Sequence, residues 1–255
     1  MSDAELTVTV DGPVATVVIH NPARRNAMTP AMWRQLPVLL DGLEADPAVR
    51  VLVLTGAGGT FCAGADLGDL DELLAAGDGS IAVAAEERLA TFGRPTVAAI
   101  EGACVGGGCQ LAVACDLRLA AADARFGVPP ARLGLVYPAP TTRRLVGLVG
   151  PSAAKHLLFT GELVDAERAL RIGLVDEVLP TGGLAPRVAA LTATIAERSR
   201  LTVTAAKEIV DGRADADRLA WWHGQVRDSG EAREGVAAVN ERRPPRFGWT
   251  PPATR

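Results

Sequence analysis

Apolar and polar positions in the first half of the chain predict strands that alternate with helices. Residues 6–10 and 14–20 are rich in β-branched side chains and are joined by Asp11-Gly12-Pro13, a combination that predicts a hairpin. After Thr29-Pro30, apolar residues recur at helical spacing until Asp46-Pro47. We therefore expect a helix between these two points.

The same pattern recurs further along the chain. Residues 51–55 and 96–100 are short apolar runs typical of buried strands. Three glycines at residues 106–108 predict a tight turn before an apolar helix over residues 109–115. A further strand is expected over residues 117–121. Strands that alternate with helices imply parallel pairing in an α/β core.

Beyond Tyr137 the pattern becomes mainly helical, with one more strand at residues 175–179. The change of pattern near residues 180–200 predicts a core of residues 1–195 and a helical region of residues 196–255. The tail from residue 242 contains four prolines and is expected to be irregular. Helices are predicted over residues 140–148, 151–159 and 165–172, and three or four more over residues 184–240.

Composition describes an ordinary globular protein, with 255 residues, 48% apolar residues and 22% charged residues. The net charge is −4 and there is no polybasic tract, so neither nucleic acid nor a membrane is expected as a partner. The first residues lack the basic and apolar stretches of a signal peptide, and no apolar run approaches the about 20 residues of a membrane helix. We expect a soluble cytoplasmic protein.

Metal and redox chemistry find no support in the sequence. The four cysteines lie in apolar or glycine-rich stretches without CxxC spacing, and we expect buried free thiols in a reducing compartment. His20, His156 and His223 are too far apart to suggest a set of ligands. No metal and no permanently bound cofactor is therefore predicted.

Two glycine-rich turns are the candidates for chemistry, one at residues 55–67 and one at residues 101–111. Each follows a short apolar strand and leads into a helix, so backbone N–H groups near Ala65 and Gly107 are expected to be unpaired and to face a common cleft. Such a pair of donors outlines an oxyanion hole. Either turn alone is also typical of α/β proteins in general. Neither has the residues of a phosphate loop or of a dinucleotide fingerprint.

Taken together, these motifs resemble the enoyl-CoA hydratase/isomerase family, also called the crotonase superfamily. The resemblance implies a crotonase/ClpP-like spiral of ββα units with a helical C-terminal region for trimerisation, as a homotrimer or a dimer of trimers. It also implies an acyl-CoA substrate, with coenzyme A bound only as part of that substrate. The motifs, which span Leu6 to Lys207, are Asn21-Pro-Ala-Arg-Arg-Asn-Ala27, Phe61-Cys-Ala-Gly-Ala-Asp-Leu67, Gly106-Gly-Gly-Cys109, Phe126-Gly, Leu133-Gly-Leu135 and Thr160-Gly with Ala169 and Gly173-Leu-Val.

The resemblance also assigns roles to single residues. The N–H groups of Ala65 and Gly107 polarise the thioester carbonyl and stabilise the enolate, each contributing about 3 kcal/mol. The residues assigned to the rest of the coenzyme A are Arg24 and Arg25 beside its phosphates, and Ala63, Gly64, Asp66 and Leu67 beside its adenine and pantetheine arm.

The chain departs from the family pattern where hydratases carry their two glutamates. Those positions hold Gln110 and Pro130. A glutamine side chain does not exchange a proton near neutral pH and proline has no side-chain proton, so ordinary hydration is not expected. Pro138 stands where dienoyl isomerases and aryl dehalogenases of the family carry an acid.

Tyr137, the one tyrosine of the chain, lies in Leu133-Gly-Leu-Val-Tyr137. This segment resembles the Leu-Gly-Val-Pro-Tyr segment of the methylmalonyl-CoA decarboxylases within the family. Decarboxylation needs no general base, because the departing CO₂ leaves its electron pair on the α-carbon. We expect the Tyr137 hydroxyl to bind the substrate carboxylate, with Gln110 or Arg132 as helpers. The other interpretation is a tyrosine at the cleft edge whose hydroxyl binds the backbone.

The sequence therefore predicts a lyase that acts on a short branched or malonyl-type CoA ester through an enolate, by decarboxylation or another reaction that needs only the enolate. One alternative is a non-catalytic acyl-CoA binding protein of lipid metabolism. The other is a hydratase that takes its acid from elsewhere. Asp69, Asp71 and Glu72 are nearby carboxylates, for which a solvated helix start is the simpler interpretation.

Overall fold

The computed structural model describes residues 4–66, 68 and 79–251, which form a mixed α/β fold with two sheets. Strands are numbered in chain order across both sheets. The six strands of the larger sheet are β1 (Glu5–Asp11), β2 (Val14–His20), β3 (Val51–Gly56), β4 (Thr96–Ile100), β6 (Leu117–Ala121) and β9 (Glu177–Leu179). The three strands of the smaller sheet are β5 (Ala103–Val105), β7 (Arg125–Gly127) and β8 (Val164–Asp165).

The larger sheet is parallel apart from its first pair. Its strands lie in the order β1-β2-β3-β4-β6-β9, and only β1 and β2 pair antiparallel, as the predicted hairpin. Twice in succession, a strand of the larger sheet leads to a strand of the smaller sheet and then to a helix. This repeated ββα winding confirms the predicted fold class.

Helices connect the parallel strands and follow the last one. Helix α1 begins after Thr29, whose side chain accepts a hydrogen bond from the Met32 N–H, and has Pro30 as its first residue. The ten helices that the structure describes are α1 (Pro30–Ala45), α2 (Ile81–Ala90), α3 (Gly107–Ala114), α4 (Pro130–Leu133), α5 (Ala139–Thr160), α6 (Ala166–Arg171), α7 (Leu184–Glu197), α8 (Arg200–Val210), α9 (Ala216–Ser229) and α10 (Glu231–Glu241).

Both faces of the larger sheet are buried. Side chains alternate between faces along a strand, so Leu52 and Leu54 of β3 pack in the main core beneath helices α1, α2 and α3. Val51 and Val53 point the other way and pack against Leu184 and other residues of α7. Continuous apolar strands are what a parallel sheet covered on both sides requires.

Most of the predicted elements are present. The two helices expected over residues 140–148 and 151–159 form one run, α5, that is broken at Gly150, where φ is 74°. Residues 242–251, the described part of the tail, contain no helix or strand. The short strands β5, β7 and β8 and the helix α2 were not predicted. The division at residue 195, the trimer or hexamer and the role of residues 196–255 stay predictions.

Cys62 ties the first glycine-rich turn to the second. Its N–H donates to the Ala103 carbonyl at 2.8 Å, and its own carbonyl accepts from the Val105 N–H at 2.9 Å. Gly108, in the first turn of α3, packs directly on this residue. A Cβ atom at Gly108 would lie 2.3 Å from the Cys62 carbonyl oxygen, closer than any real contact. Only glycine allows α3 to approach the first turn this closely.

We predict that Gly108→Ala separates the two turns and lowers the free energy of unfolding by about 2 kcal/mol through overpacking. The matched control is Gly147→Ala, because Gly147 lies in α5 with nothing within 4 Å of a Cβ atom. That control should stabilise the helix by about 0.5–1 kcal/mol. Urea denaturation of both variants measures the difference, and equal stability of the two would contradict the close approach.

Candidate active site

The first turn presents the amide of Ala65. Met28 and Ala65 form an isolated parallel bridge, in which the Met28 N–H donates to the Gly64 carbonyl at 2.8 Å and the Asp66 N–H donates to the Met28 carbonyl at 2.9 Å. A parallel bridge uses the groups on either side of Ala65, so the Ala65 N–H points away from Met28.

The second turn presents the amide of Gly107. Gly106 adopts φ 58° and ψ −124°, a conformation that favours glycine, and its N–H donates to the Gly127 carbonyl at 2.9 Å. Gly107 is then the first residue of α3. The N–H groups in the first turn of a helix have no partner within the helix and lie at the positive end of its dipole.

The fold brings these two amides together. A Cβ atom at Gly107 would lie 3.6 Å from the backbone nitrogen of Ala65, and one at Gly64 would lie 3.5 Å from the nitrogen of Gly107. Within the described part of the chain, neither amide donates a hydrogen bond. The structure therefore places two free backbone donors side by side, and their role as an oxyanion hole stays a prediction.

Both amides line a cavity of about 500 Å³. Gln110, one turn along α3, also lines it and is 3% exposed. Neither the oxygen nor the nitrogen of its side-chain amide has a hydrogen-bond partner in the described part of the chain. Buried polar groups are normally paired, so this amide is available to a ligand. Pro130 is buried at the start of α4 and does not line the cavity.

Tyr137 lines the same cavity beside the second turn. A Cβ atom at Gly106 would lie 3.3 Å from the Tyr137 hydroxyl oxygen. The hydroxyl makes no hydrogen bond to another described residue, and both interpretations of Tyr137 stay predictions. Burial is the main cause that raises the pKa of Tyr137 above its usual value. Its side chain therefore remains a neutral donor across the physiological pH range.

Glu86 is a cavity residue that the sequence analysis missed. It lies on α2, is 3% exposed and lines the cavity together with the two amides. Its Oε2 atom has no hydrogen-bond partner within residues 4–66, 68 and 79–251. Burial raises the pKa of Glu86 to about 8, because desolvation penalises its charged form. A signal for it was present, since Val83, Glu86 and Leu89 recur every three residues on the buried face of α2.

Only some of the residues assigned to coenzyme A line the cavity. Arg25, Ala63 and Gly64 line the cavity, and the Ala63 N–H donates to the Arg25 carbonyl at 3.0 Å. Arg24 is exposed in the 3₁₀ turn Pro22–Arg24 and does not line the cavity. The Asp66 carboxylate accepts a hydrogen bond from the Gly68 N–H at 3.1 Å.

Some of the predicted positions lie outside the described residues. They are Leu67, assigned to the coenzyme A arm, and the carboxylates Asp69, Asp71 and Glu72. Within the described ranges, no group of three histidine, cysteine or acidic residues is suited to hold a metal ion. In the same ranges, no helix has both the length and the apolar character needed to cross a membrane.

Asn26 holds the loop that carries Arg25 against the first turn. Asn26 is 1% exposed, and its side-chain nitrogen donates to the carbonyls of Ala57 and Thr60 at 2.8 and 2.6 Å. Its side-chain oxygen accepts from the Asn21 N–H at 3.0 Å. A small amide in the left-handed conformation, with φ 59°, thus joins the start of the site to the loop after β3.

Comparison with known proteins places this geometry in a family. The family model described as enoyl-CoA hydratase/isomerase matches residues 9–249. A Thermus thermophilus protein with the name "Putative enoyl-CoA hydratase" is 40% identical, over 92% of this chain and 98% of that protein. The crotonyl-CoA hydratase of Syntrophomonas wolfei is 33% identical, over 92% of this chain and 94% of that protein.

A solved structure supports the same assignment. The crystal structure of an enoyl-CoA hydratase/isomerase family member superimposes with a TM-score of 0.92 at 39% identity, covering 97% of this chain and 99% of that chain. The sequence match extends over nearly the whole chain, and the architecture agrees over the same range. The chain belongs to the enoyl-CoA hydratase/isomerase family.

Proposed function

We propose that this chain is a lyase that decarboxylates a malonyl-type CoA thioester and holds the resulting enolate on the amides of Ala65 and Gly107. The observation that carries the proposal is the pair of free amides in a cavity that Gln110 also lines. The resemblance assigns the two hydratase glutamates to the positions of Gln110 and Pro130, and neither residue is an acid. Coenzyme A enters and leaves as part of substrate and product.

The two amides suit the oxygen of a thioester enolate. Negative charge develops on that oxygen as the α-carbon loses its substituent. Two preorganised donors, one of them at the positive end of α3, stabilise this charge more than they stabilise the neutral carbonyl. Both donors line the cavity, where such interactions are stronger than in bulk water once a bound substrate displaces the solvent.

The remaining polar groups of the cavity suit a substrate carboxylate. Tyr137 supplies a neutral hydroxyl beside Gly106, and the Gln110 amide supplies N–H groups. Arg132 adds positive charge to the lining. These donors would hold the carboxylate with its C–C bond across the enolate plane. The C–C bond then breaks, CO₂ departs and the electron pair passes into the enolate, without a general base.

Hydration is a second candidate, which two observations favour. The Syntrophomonas wolfei relative is named as a crotonyl-CoA hydratase, and Glu86 supplies a carboxyl group from outside the usual positions. However, a group with a pKa of about 8 is mostly protonated at neutral pH. It activates a water molecule poorly for attack on an enoyl thioester. Decarboxylation makes no such demand.

A panel of malonyl-, methylmalonyl- and crotonyl-CoA separates the candidates. We expect CO₂ release from a malonyl-type ester. Loss of the conjugated enoyl absorbance of crotonyl-CoA, with no CO₂ from any ester, would instead indicate a hydratase. Binding of all three esters without turnover would indicate a non-catalytic acyl-CoA binding protein.

We predict that Tyr137→Phe reduces decarboxylation of methylmalonyl-CoA about tenfold or more, because a hydrogen bond to the substrate carboxylate is lost. Binding of a CoA ester without a free carboxylate should change little. Turnover and the dissociation constant for propionyl-CoA are the two measurements. Unchanged turnover would remove Tyr137 from the reaction.

We predict that Ala65→Pro reduces kcat about 100-fold or more, because it removes one of the two oxyanion donors. The bridge to Met28 uses the Gly64 carbonyl and the Asp66 N–H, so it does not depend on the Ala65 amide. Ala65→Ser keeps the amide and adds a similar small bulk, which makes it the matched control. Equal turnover of the two variants at equal thermal stability would contradict the role of this amide.

A further inference from the structure

We propose that Glu86 is the proton carrier of this site and delivers its proton to the α-carbon of the enolate held by Ala65 and Gly107. The inference rests on the proposed function, because it takes an enolate on those amides as the group that is protonated. Decarboxylation leaves a carbanionic α-carbon that must gain a proton before the product departs. Among the described residues that line the cavity, Glu86 is the one carboxyl group.

The position of Glu86 is suited to this role. Helix α2 packs against α3, whose first residue supplies the Gly107 amide. Glu86 therefore shares the cavity wall with the oxyanion donors and with Tyr137. The charge of Glu86 also contributes to the raised pKa of Tyr137, so the two side chains are close enough to interact electrostatically.

Glu86 forms no ion pair with another described residue. The nearby cation, Arg144 of α5, bonds through its Nη2 atom to Glu87, the neighbour of Glu86 in α2. Both the Nη1 atom of Arg144 and the Oε2 atom of Glu86 are buried without a hydrogen-bond partner among the residues that the structure describes. A buried carboxyl group kept for stability is normally hydrogen-bonded. The unpaired oxygen of Glu86 is left for a ligand in the cavity.

Its protonation state fits a proton donor. Desolvation, opposed by the positive charge of Arg144 and assisted by the negative charge of Glu87, raises the pKa of Glu86 to about 8. At neutral pH the group is therefore mostly a neutral acid. It does not repel a substrate carboxylate, whose charge would favour the protonated form further. The other titratable groups that line the cavity are Arg25, Arg132 and Tyr137, and Cys109 of α3 lies close to Tyr137.

The step balances without a further reactant. The C–C bond to the substrate carboxylate breaks, CO₂ leaves, and the electron pair forms the enolate. That pair then forms a C–H bond with the proton of Glu86, and the O–H electron pair stays on Glu86 as a carboxylate. Water returns a proton to Glu86 after the product leaves.

The reverse of the last step provides a test that does not need CO₂ release. Glu86 as a carboxylate should remove the α-proton of propionyl-CoA, so the α-protons should exchange with deuterium in D₂O. We predict that Glu86→Gln slows this exchange about 100-fold or more, as expected when a general base is lost. Mass spectrometry of propionyl-CoA measures the exchange. Near-UV circular dichroism and propionyl-CoA binding establish that the variant is folded.

The pH dependence of the wild-type exchange tests the same role without a variant. The base form of Glu86 is required, so the rate should rise with pH and level off above the pKa of about 8. Glu87→Gln is the matched control on the same helix, because Glu87 does not line the cavity. Loss of its negative charge should move the midpoint of the pH profile to lower pH and leave the plateau rate in place.

The outcomes separate this inference from the proposed function. Exchange that depends on Glu86, with no CO₂ from any malonyl-type ester, would support the proton carrier and reject the decarboxylase. CO₂ release with exchange as fast in Glu86→Gln as in the wild type would reject the proton carrier alone. If Glu86→Gln does not fold, a wild-type exchange rate that is independent of pH between 6 and about 9 would overturn the inference, because a group with a raised pKa must titrate there.

Discussion

The arrangement of this site depends on which backbone groups are used by the bridge between Met28 and Ala65. That bridge consumes the carbonyl of Gly64 and the N–H of Asp66, and leaves the N–H of the residue between them unpaired. Gly107 is left unpaired for a different reason, since it opens a helix. Strand-like pairing on one side and helix initiation on the other thus supply two donors, and neither depends on a side chain that substitution could remove.

The second constraint is the electrostatic character of the cavity that these donors face. In the proposed function, the uncharged residues Gln110 and Pro130 stand where the resemblance places the two carboxylates of a hydratase. The one carboxyl group among the described lining residues, Glu86, is held mostly neutral by burial. In the proposed function the cavity therefore opposes the entry of a negatively charged acyl group much less than a hydratase site would.

The sequence allowed much of the fold to be predicted, because its larger elements carry clear periodic patterns. The hairpin, helix α1 and the break in α5 follow from β-branched runs, a Thr-Pro start and Gly150-Pro151. Strands of two or three residues, such as β8, are too short to show any period. Their pairing partners are distant in the chain, so tertiary structure alone determines them.

For the site, the sequence indicated the two turns and the free amides near Ala65 and Gly107. The distance between these amides could not be predicted, because it depends on the packing of Gly108 on Cys62. Glu86 escaped notice for a related reason. A glutamate within a helix is usually exposed, so its spacing with Val83 and Leu89 is a weak signal, and the packing of α2 against α1, α3 and α5 is what shows that this one faces inward. The charge of a buried residue depends on neighbours that sequence spacing does not reveal.

The burial of Cys62 between the two turns has a consequence for measuring local unfolding of the site. All four cysteines of the chain are buried. Cys62 lies in the first turn, and Cys109 lies in α3. Burial raises the pKa of Cys62 to about 12, so the reactive thiolate is essentially absent from the closed structure. The rate at which an alkylating reagent modifies Cys62 therefore reports how often the two turns separate, and the protein carries its own probe of that local opening.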